Sequence, residues 1–331
     1  MPKRLSISVA VGDYDRVAAI KDGRVQIEGC DVTFLPLAAE EVFFRAFRST
    51  EFDVTELSFS STLIQTARGD CQYVGIPAFV SRVFRHGCIY IRTDRGIREP
   101  ADLKGRLVGL PEYQMTAPVW MRGMLQDEYG VKPEDIAWRS GGQEQPGRDE
   151  RTRIPPIPGL DLKPIPNDRT LVDIFVKGEL DALFTARAPS CFVQGAPNIG
   201  RLFPNYREVE KAYWRKTKLF PIMHLVGIRK TLLEREPWLA TSVYKAFVEA
   251  KELALQSVRD LTALNVTLPW VEAEALETIG MMGQDYWRYG VKECAHEIDT
   301  ICRYSFEQGL SVRRLTAADI FAPQVMEVSK I

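Results

Sequence analysis

The stretch Phe84–Trp120 reads FRHGCIYIRTDRGIREPADLKGRLVGLPEYQMTAPVW, and the order of its signals decides the fold class. Cys88–Arg92 is a β-rich run preceded by Arg85 and His86. A turn-prone segment follows, with Gly96, Pro100 and Gly105. A second apolar run, Leu107–Leu110, is closed by Pro111 and followed by a helical pattern over Ala117–Tyr129 that Gly130 stops. Apolar run, Pro-closed turn and helix start predict a strand–loop–helix unit of an α/β protein. The start of such a helix offers unpaired N–H groups and a positive dipole end, which suit a carboxylate or phosphate.

Upstream, the same alternation repeats. Leu5–Val11, Val32–Leu35, Phe52–Leu57 and Tyr73–Ile76 read as strands, the last ending at Pro77. Arg16–Ile20, the amphipathic Glu40–Phe47 and Ser58–Arg68 read as helices. Such alternation predicts mostly parallel sheet with helices on its faces. Ligands of such sheets sit beyond the carboxyl ends of the strands. Those ends are Asp13-Tyr14, Glu56-Leu57-Ser58 and Pro77–His86. Downstream, residues 139–168 carry Gly141-Gly142, mixed charges and six prolines, the pattern of a loop excursion and a candidate lid. Leu180–Thr185 and Ile222–Ile228 read as strands, Thr170–Val176 and Pro237–Ser257 as helices, and 274–309 as mostly helical with a break at Tyr289-Gly290.

The chain has 331 residues, more than one ordinary core holds, so two domains are expected. It is 45% hydrophobic and 26% charged with a formal net charge of −1, which gives no case for nucleic acid or an anionic membrane as partner. Leu5–Val11 is too short for the apolar core of an export signal, and no stretch reaches the length of a membrane span, so a cytoplasmic location is expected. Cys30, Cys71, Cys88, Cys191, Cys294 and Cys302 are scattered, as are His86, His224 and His296. Reduced thiols and no dedicated metal site follow from that spacing.

Two segments match in role: Ile89–Leu110, and Val226–Ala254 with its VGIRKTLLEREPWLATSVYKAFVEAKELA. The pair resembles the crossover segments of the type 2 periplasmic-binding-protein fold, a two-lobe α/β fold with the ligand cleft between lobes. The resemblance implies a first lobe of residues 1–92 plus 225–331, a second of 93–224, and crossovers near 91–95 and 223–228. Six further segments resemble the 4,5-dihydroxyphthalate decarboxylase family in family order: FRHGCIYI, GLPEYQMTAPVWMRGMLQDEYGV, RSGGQEQPGR, GELDALFTARAPSCF, RLFPNYREVEKAYWRKTKLFPIMH and YSFEQGLSVRRL. Gly87 departs from the pattern, where Ser is more usual.

The family resemblance implies loss of carbon dioxide from a dihydroxylated aromatic dicarboxylate, with no organic cofactor and possible homo-oligomers. Arg82, Arg85 and Arg187 at strand ends are the expected carboxylate holders, helped by the backbone after Pro111, because the guanidinium fork matches a carboxylate. Imidazole titrates near neutral pH, so His86 is the first candidate for proton transfer and His224 the second cleft histidine. Glu56 and Asp13 can take a phenolic proton or bind a hydroxyl, and Glu112, at the second-lobe helix start, is with Glu56 a further candidate catalytic group. Tyr14, Ser58, Tyr113, Gln114, Met115 and Thr116 are expected to line the cleft. The competing expectation is a non-catalytic solute-binding or ligand-sensing protein of the same fold.

Overall fold

The computed structural model describes residues 4–148, 150, 152–260, 262 and 264–327. Eleven strands form two sheets among these residues. The first sheet holds β1 (Leu5–Val11), β2 (Cys30–Pro36), β3 (Val54–Ser58), β4 (Tyr73–Arg82) and β11 (Ile222–Arg229), in the order β2-β1-β3-β11-β4. The second holds β5 (Ile89–Arg92), β6 (Leu107–Leu110), β7 (Ala137–Ser140), β8 (Leu162–Pro164), β9 (Ala182–Phe184) and β10 (Ile199–Arg201), in the order β10-β5-β9-β6-β7-β8. In each sheet the strand that arrives from the other runs against its neighbours. β5 is antiparallel to β9, and β11 is antiparallel to both β3 and β4. The strands β1–β3 and β6–β9 that pair within one crossover series are parallel. This is the two-lobe α/β arrangement expected from the sequence.

β5 pairs in the second sheet, although the sequence reading set it in the first lobe. The chain therefore passes between sheets at 83–88 and returns between β10 and β11. The two passages run side by side. The Val83 N–H donates to the Pro221 carbonyl at 3.1 Å, and Phe84 stacks on Phe220 at 4.7 Å. We place the lobe boundary in these segments rather than at 91–95 and 223–228.

β4 does not end at Pro77 but runs on to Arg82. Proline has no N–H to give a ladder. The pairing with β11 skips there, from Ile76↔Val226 to Ser81↔His224, so none is required.

The helix Thr116–Tyr129 follows β6 in sequence but is clamped onto the first lobe. The Trp120 indole donates to the Ile222 carbonyl at 2.9 Å, and Arg122 donates to Gln308 Oε1 at 2.8 Å. Gln308 returns a bond to the Val119 carbonyl at 2.9 Å. Against the helix Ala295–Glu307, Gly123 leaves room for the Tyr304 ring: a Cβ at that position would stand 2.3 Å from ring carbons. Tyr304 is buried and held by Asp127 at 2.7 Å, so it has little room to yield. Gly123→Ala should lower stability by about 1–2 kcal/mol, overpacking exceeding the gain in helix propensity. A lower urea midpoint at unchanged slope is the expected result.

Candidate active site between the two sheets

The carboxyl end of β3, the start of β11 and the loops after β6 and β9 face one cleft. Its inner part is a cavity of about 200 Å³ lined by Ser58, Ser61, Arg85, Gln114, Met115, Thr116, Arg187, Met223 and His224, with Ala39, Glu40 and Phe43 across from them. It shares Glu40, Met115, Ala186 and Arg187 with an outer cavity of about 660 Å³. Glu112, Arg148, Glu150 and the Gly142–Gly147 segment line that outer part.

The floor is a buried carboxylate. Glu56, fully buried at the centre of β3, accepts the Gly12 N–H at 2.8 Å and the Tyr14 hydroxyl at 2.9 Å. Its Oε1 also stands 2.5 Å from His224 Nδ1. Burial alone pushes the Glu56 carboxyl up, but the hydrogen bond and charge of His224, then Gly12 and Tyr14, outweigh it and hold the carboxyl below its ordinary value. Burial, then the charge of Glu56, pushes the Tyr14 phenol far up, which keeps it a donor. With Nδ1 committed, Nε2 is the nitrogen His224 has left; it bonds no other described residue. Phe43 packs edge-on against the imidazole at 4.8 Å.

The walls are cationic. Arg85 is 8% exposed, yet no described carboxylate lies within ion-pair distance of it. Its partners are Met223 Sδ at 3.3 Å, Cys88 Sγ at 3.6 Å and the Ala186 carbonyl at 3.4 Å. The charge of Glu210 reaches Arg85 from beyond ion-pair distance. Arg85 thus stays available to an anion in the cleft. Arg187 also lines the cleft, and among the described residues its guanidinium makes no ion pair. Gln143 fixes its backbone, donating to the Arg187 carbonyl at 3.2 Å.

Seven residues singled out from sequence thus meet here: Ser58, Arg85, Gln114, Met115, Thr116, Arg187 and His224. Glu56 and Tyr14 stand behind His224. Glu112 lies on the outer part, bound by the Arg148 fork at 2.6 and 2.8 Å. Others lie elsewhere. Arg82 turns into the first lobe, ion-paired to Glu297 at 3.2 Å and bonded to the Phe220 and Arg288 carbonyls. Asp13 is exposed and paired with Lys21. Tyr113 is core, beneath the Arg122 guanidinium at 3.6 Å. The N–H groups of Tyr113 and Gln114 after Pro111 are already taken by Glu150, at 2.5 and 3.4 Å. Burial pushes the Glu150 carboxyl up to about 7, against the Tyr113 N–H and with the charge of Glu112 adding to it. Gly142–Arg148 and Glu150 therefore supply one cleft wall, and Glu150 occupies the N–H groups offered after Pro111.

His86 is not among the cleft-lining residues. It is 1% exposed between Phe203 at 5.2 Å and Tyr213 at 5.1 Å, with neither ring nitrogen hydrogen-bonded and Glu210 4.0 Å from Nδ1. Gly87 beside it touches Tyr206, whose ring would stand 2.7 Å from an added Cβ. That contact accounts for glycine here.

Sequence reasoning missed Phe43, Ser61 and Met223. Ser61 follows Ser58 by one helical turn, a spacing that would have found it. Among the described residues no group of three His, Cys, Asp or Glu side chains is placed to hold a metal, and no helix is long and apolar enough to cross a membrane.

Two sheets joined by paired passages, with an arginine-walled cleft between them, define a two-lobe binding-protein fold. Solved structures agree on the fold. The periplasmic aliphatic sulphonate binding protein of Escherichia coli matches with a TM-score of 0.53 at 14% identity, covering 98% of this chain and 99% of that one. A sulphonate-binding protein of Methylobacillus flagellatus matches with a TM-score of 0.54 at 14% identity, over 98% and 93%. No family model matches the chain. It is 45% identical over 328 residues to the 4,5-dihydroxyphthalate decarboxylase of Comamonas testosteroni, covering 99% of both proteins. It is 44% identical over 212 residues to that of Pseudomonas putida, covering 64% of this chain and 82% of that protein. The chain belongs to the 4,5-dihydroxyphthalate decarboxylase family.

Two predictions follow from the residues that turn away from the cleft. Arg82→Ala should cost about 1–3 kcal/mol of stability by removing a buried donor to Glu297, which keeps Arg288 as a partner, and to the Phe220 and Arg288 carbonyls, and should leave KM of the folded fraction unchanged. Burial lowers the His86 pKa to about 4. An unfolded histidine binds its proton from about 6.5 downward, so the unfolded state gains protons first and stability falls as pH drops from about 6.5 to about 4, by roughly 3 kcal/mol in all. In His86→Leu this acid-side loss should shrink, as measured by urea unfolding at pH 7 and pH 5.

Proposed function

We propose that this chain decarboxylates 4,5-dihydroxyphthalate to protocatechuate and carbon dioxide, in the cytoplasm, by protonating the ring carbon that bears the leaving carboxylate. The names of the two relatives support the substrate. The observation that carries the mechanism is a single one: the Glu56-bound His224 shares a cavity with two arginines, Arg85 and Arg187, that make no ion pair with a described carboxylate. The six free thiols suit a reducing compartment.

On this reading Arg85 and Arg187 hold carboxylate, and the neutral side chains of Ser58, Ser61, Gln114 and Thr116 face the ring hydroxyls. The cleft thus has a cationic side and a hydroxyl-bonding side, as the substrate has an anionic edge and a hydroxyl edge. The hydroxyl para to the leaving carboxylate pushes electrons into the ring. His224 Nε2 delivers a proton to the ring carbon that bears the leaving carboxylate. The bond to the carboxylate carbon then breaks, its electrons restore the aromatic ring, and carbon dioxide departs. Glu56 fixes the imidazole orientation through Nδ1 and leaves Nε2 to carry the transferred proton. One proton from solvent reloads His224 in each turnover. The role assigned from sequence to His86 passes to His224, because only the latter lines the cleft.

The test is His224→Gln. Activity on 4,5-dihydroxyphthalate should fall by about two to four orders of magnitude in kcat, while inhibition by non-reacting phthalate persists. Turnover within a few-fold of the parent would remove His224 from the proton path. Loss of phthalate binding in step with kcat would make it a substrate holder instead.

A further inference from the structure

Ser61 and Gln114 both line the inner cavity and are 3% and 2% exposed. They join the two lobes through one hydrogen bond, Ser61 Oγ to Gln114 Oε1 at 2.8 Å. Beyond it Gln114 Nε2 meets Glu112 Oε2 at 2.5 Å, and the Arg148 fork grips Glu112 Oε1 at 2.6 and 2.8 Å. The order of donors along this chain is forced. A guanidinium only donates, so Arg148 holds Glu112 as a carboxylate. A carboxylate only accepts, so Gln114 must turn its amide NH₂ toward Glu112 and its oxygen toward Ser61. That oxygen only accepts, so Ser61 must spend its single hydroxyl proton on Gln114. Toward the cleft Ser61 is left with lone pairs alone. The neighbouring pair behaves differently: Ser58 Oγ and Thr116 Oγ1, 3.1 Å apart, can donate in either direction.

We infer that Ser61 is the specificity-determining residue that selects a ring O–H, and that Glu112, through Gln114, sets its polarity. A phenolic hydroxyl presented to Ser61 completes a hydrogen bond. A carboxylate or an ether oxygen presented there meets a second acceptor and leaves two buried groups unpaired. The ring is therefore seated with its hydroxyl edge on this wall, which sends its carboxylates to Arg85 and Arg187. Glu112, considered from sequence as a catalytic group, becomes a positioning residue. The inference rests on the substrate reading above for its choice of ligand, but its test needs no turnover.

Calorimetric affinities of phthalate, 4-hydroxyphthalate and 4-methoxyphthalate measure the selection directly. The parent should prefer 4-hydroxyphthalate to both others. Ser61→Ala should weaken 4-hydroxyphthalate by about tenfold and phthalate by no more than about twofold, and Ser61→Thr should restore the hydroxyl preference. Glu112→Gln frees the donor order, because an amide can either donate to or accept from Gln114. It should narrow the gap between 4-hydroxyphthalate and 4-methoxyphthalate. Equal loss of all three ligands in Ser61→Ala, or an unchanged hydroxy-to-methoxy ratio in Glu112→Gln, overturns the inference. If those ratios behave as expected and the parent releases no carbon dioxide from 4,5-dihydroxyphthalate, the decarboxylase reading fails and the selection by Ser61 stands.

Discussion

A carboxylate with no exposed surface is the constraint around which the cleft is built. Glu56 is stable as an anion only because three donors from three parts of the chain converge on it: the Gly12 N–H beyond β1, the Tyr14 hydroxyl and the His224 imidazole on β11. β3 and β11 are also direct neighbours in the sheet, with Val226 opposite Glu56. The pairing of a returning strand with an outgoing one is thus tied to a charge that cannot be left bare. Desolvation sets a penalty that grows with every partner removed. The contribution of this carboxylate to stability is complete above the ordinary carboxylate range and is lost as pH falls through its lowered value. The electrostatics that hold the sheet together also orient the imidazole at the mouth of the cleft.

Much of this was legible before any coordinates. Strand ends point at ligands in parallel sheets, and that rule gathered Ser58, Arg85 and Arg187, while the second crossover pointed to His224. What it could not give was direction. Arg82 and Arg85 are three residues apart, both beside the same passage; one enters an ion pair with Glu297 inside the first lobe, and the other turns into the cleft. His86 follows Arg85 by one residue, but it opens the short helical turn His86–Cys88, which folds the ring back onto Phe203 and Tyr213. Phe43 was visible as part of an apolar helix face, yet the pattern says only that the face is covered and not that a histidine ring covers it. The turn after Pro111, ahead of the helix that starts at Thr116, gives its Tyr113 and Gln114 N–H groups to Glu150, contributed by a loop 36 residues on that no local pattern connects to it.

The contrast between Arg85 and Arg187 bears on the chemistry proposed for the site. A carboxylate that leaves as carbon dioxide loses its charge on the way to the transition state. A cation that grips it firmly stabilises the ground state more than the transition state and slows the step. A cation that grips the retained carboxylate does so equally in both, and serves for placement. Arg85 is buried and braced by Met223, Cys88 and Ala186, so it suits the group that stays. Arg187 is exposed, with only its backbone fixed, so it can let go.

The same comparison explains how a binding fold can acquire a reaction. Arginines in a cleft between lobes supply affinity, and affinity shared by substrate and transition state lowers KM without raising kcat. Rate requires a group whose interaction grows as the reaction proceeds. On the proposed reading that group is an imidazole with one nitrogen committed to a buried carboxylate and the other directed to the ligand, since its stabilisation of the ring changes as its proton moves. A wall of fixed hydrogen-bond polarity adds the remaining requirement, that the correct carbon be the one within reach. Binding, orientation and proton delivery then occupy three different sides of one cavity of about 200 Å³, so each can change without dismantling the other two.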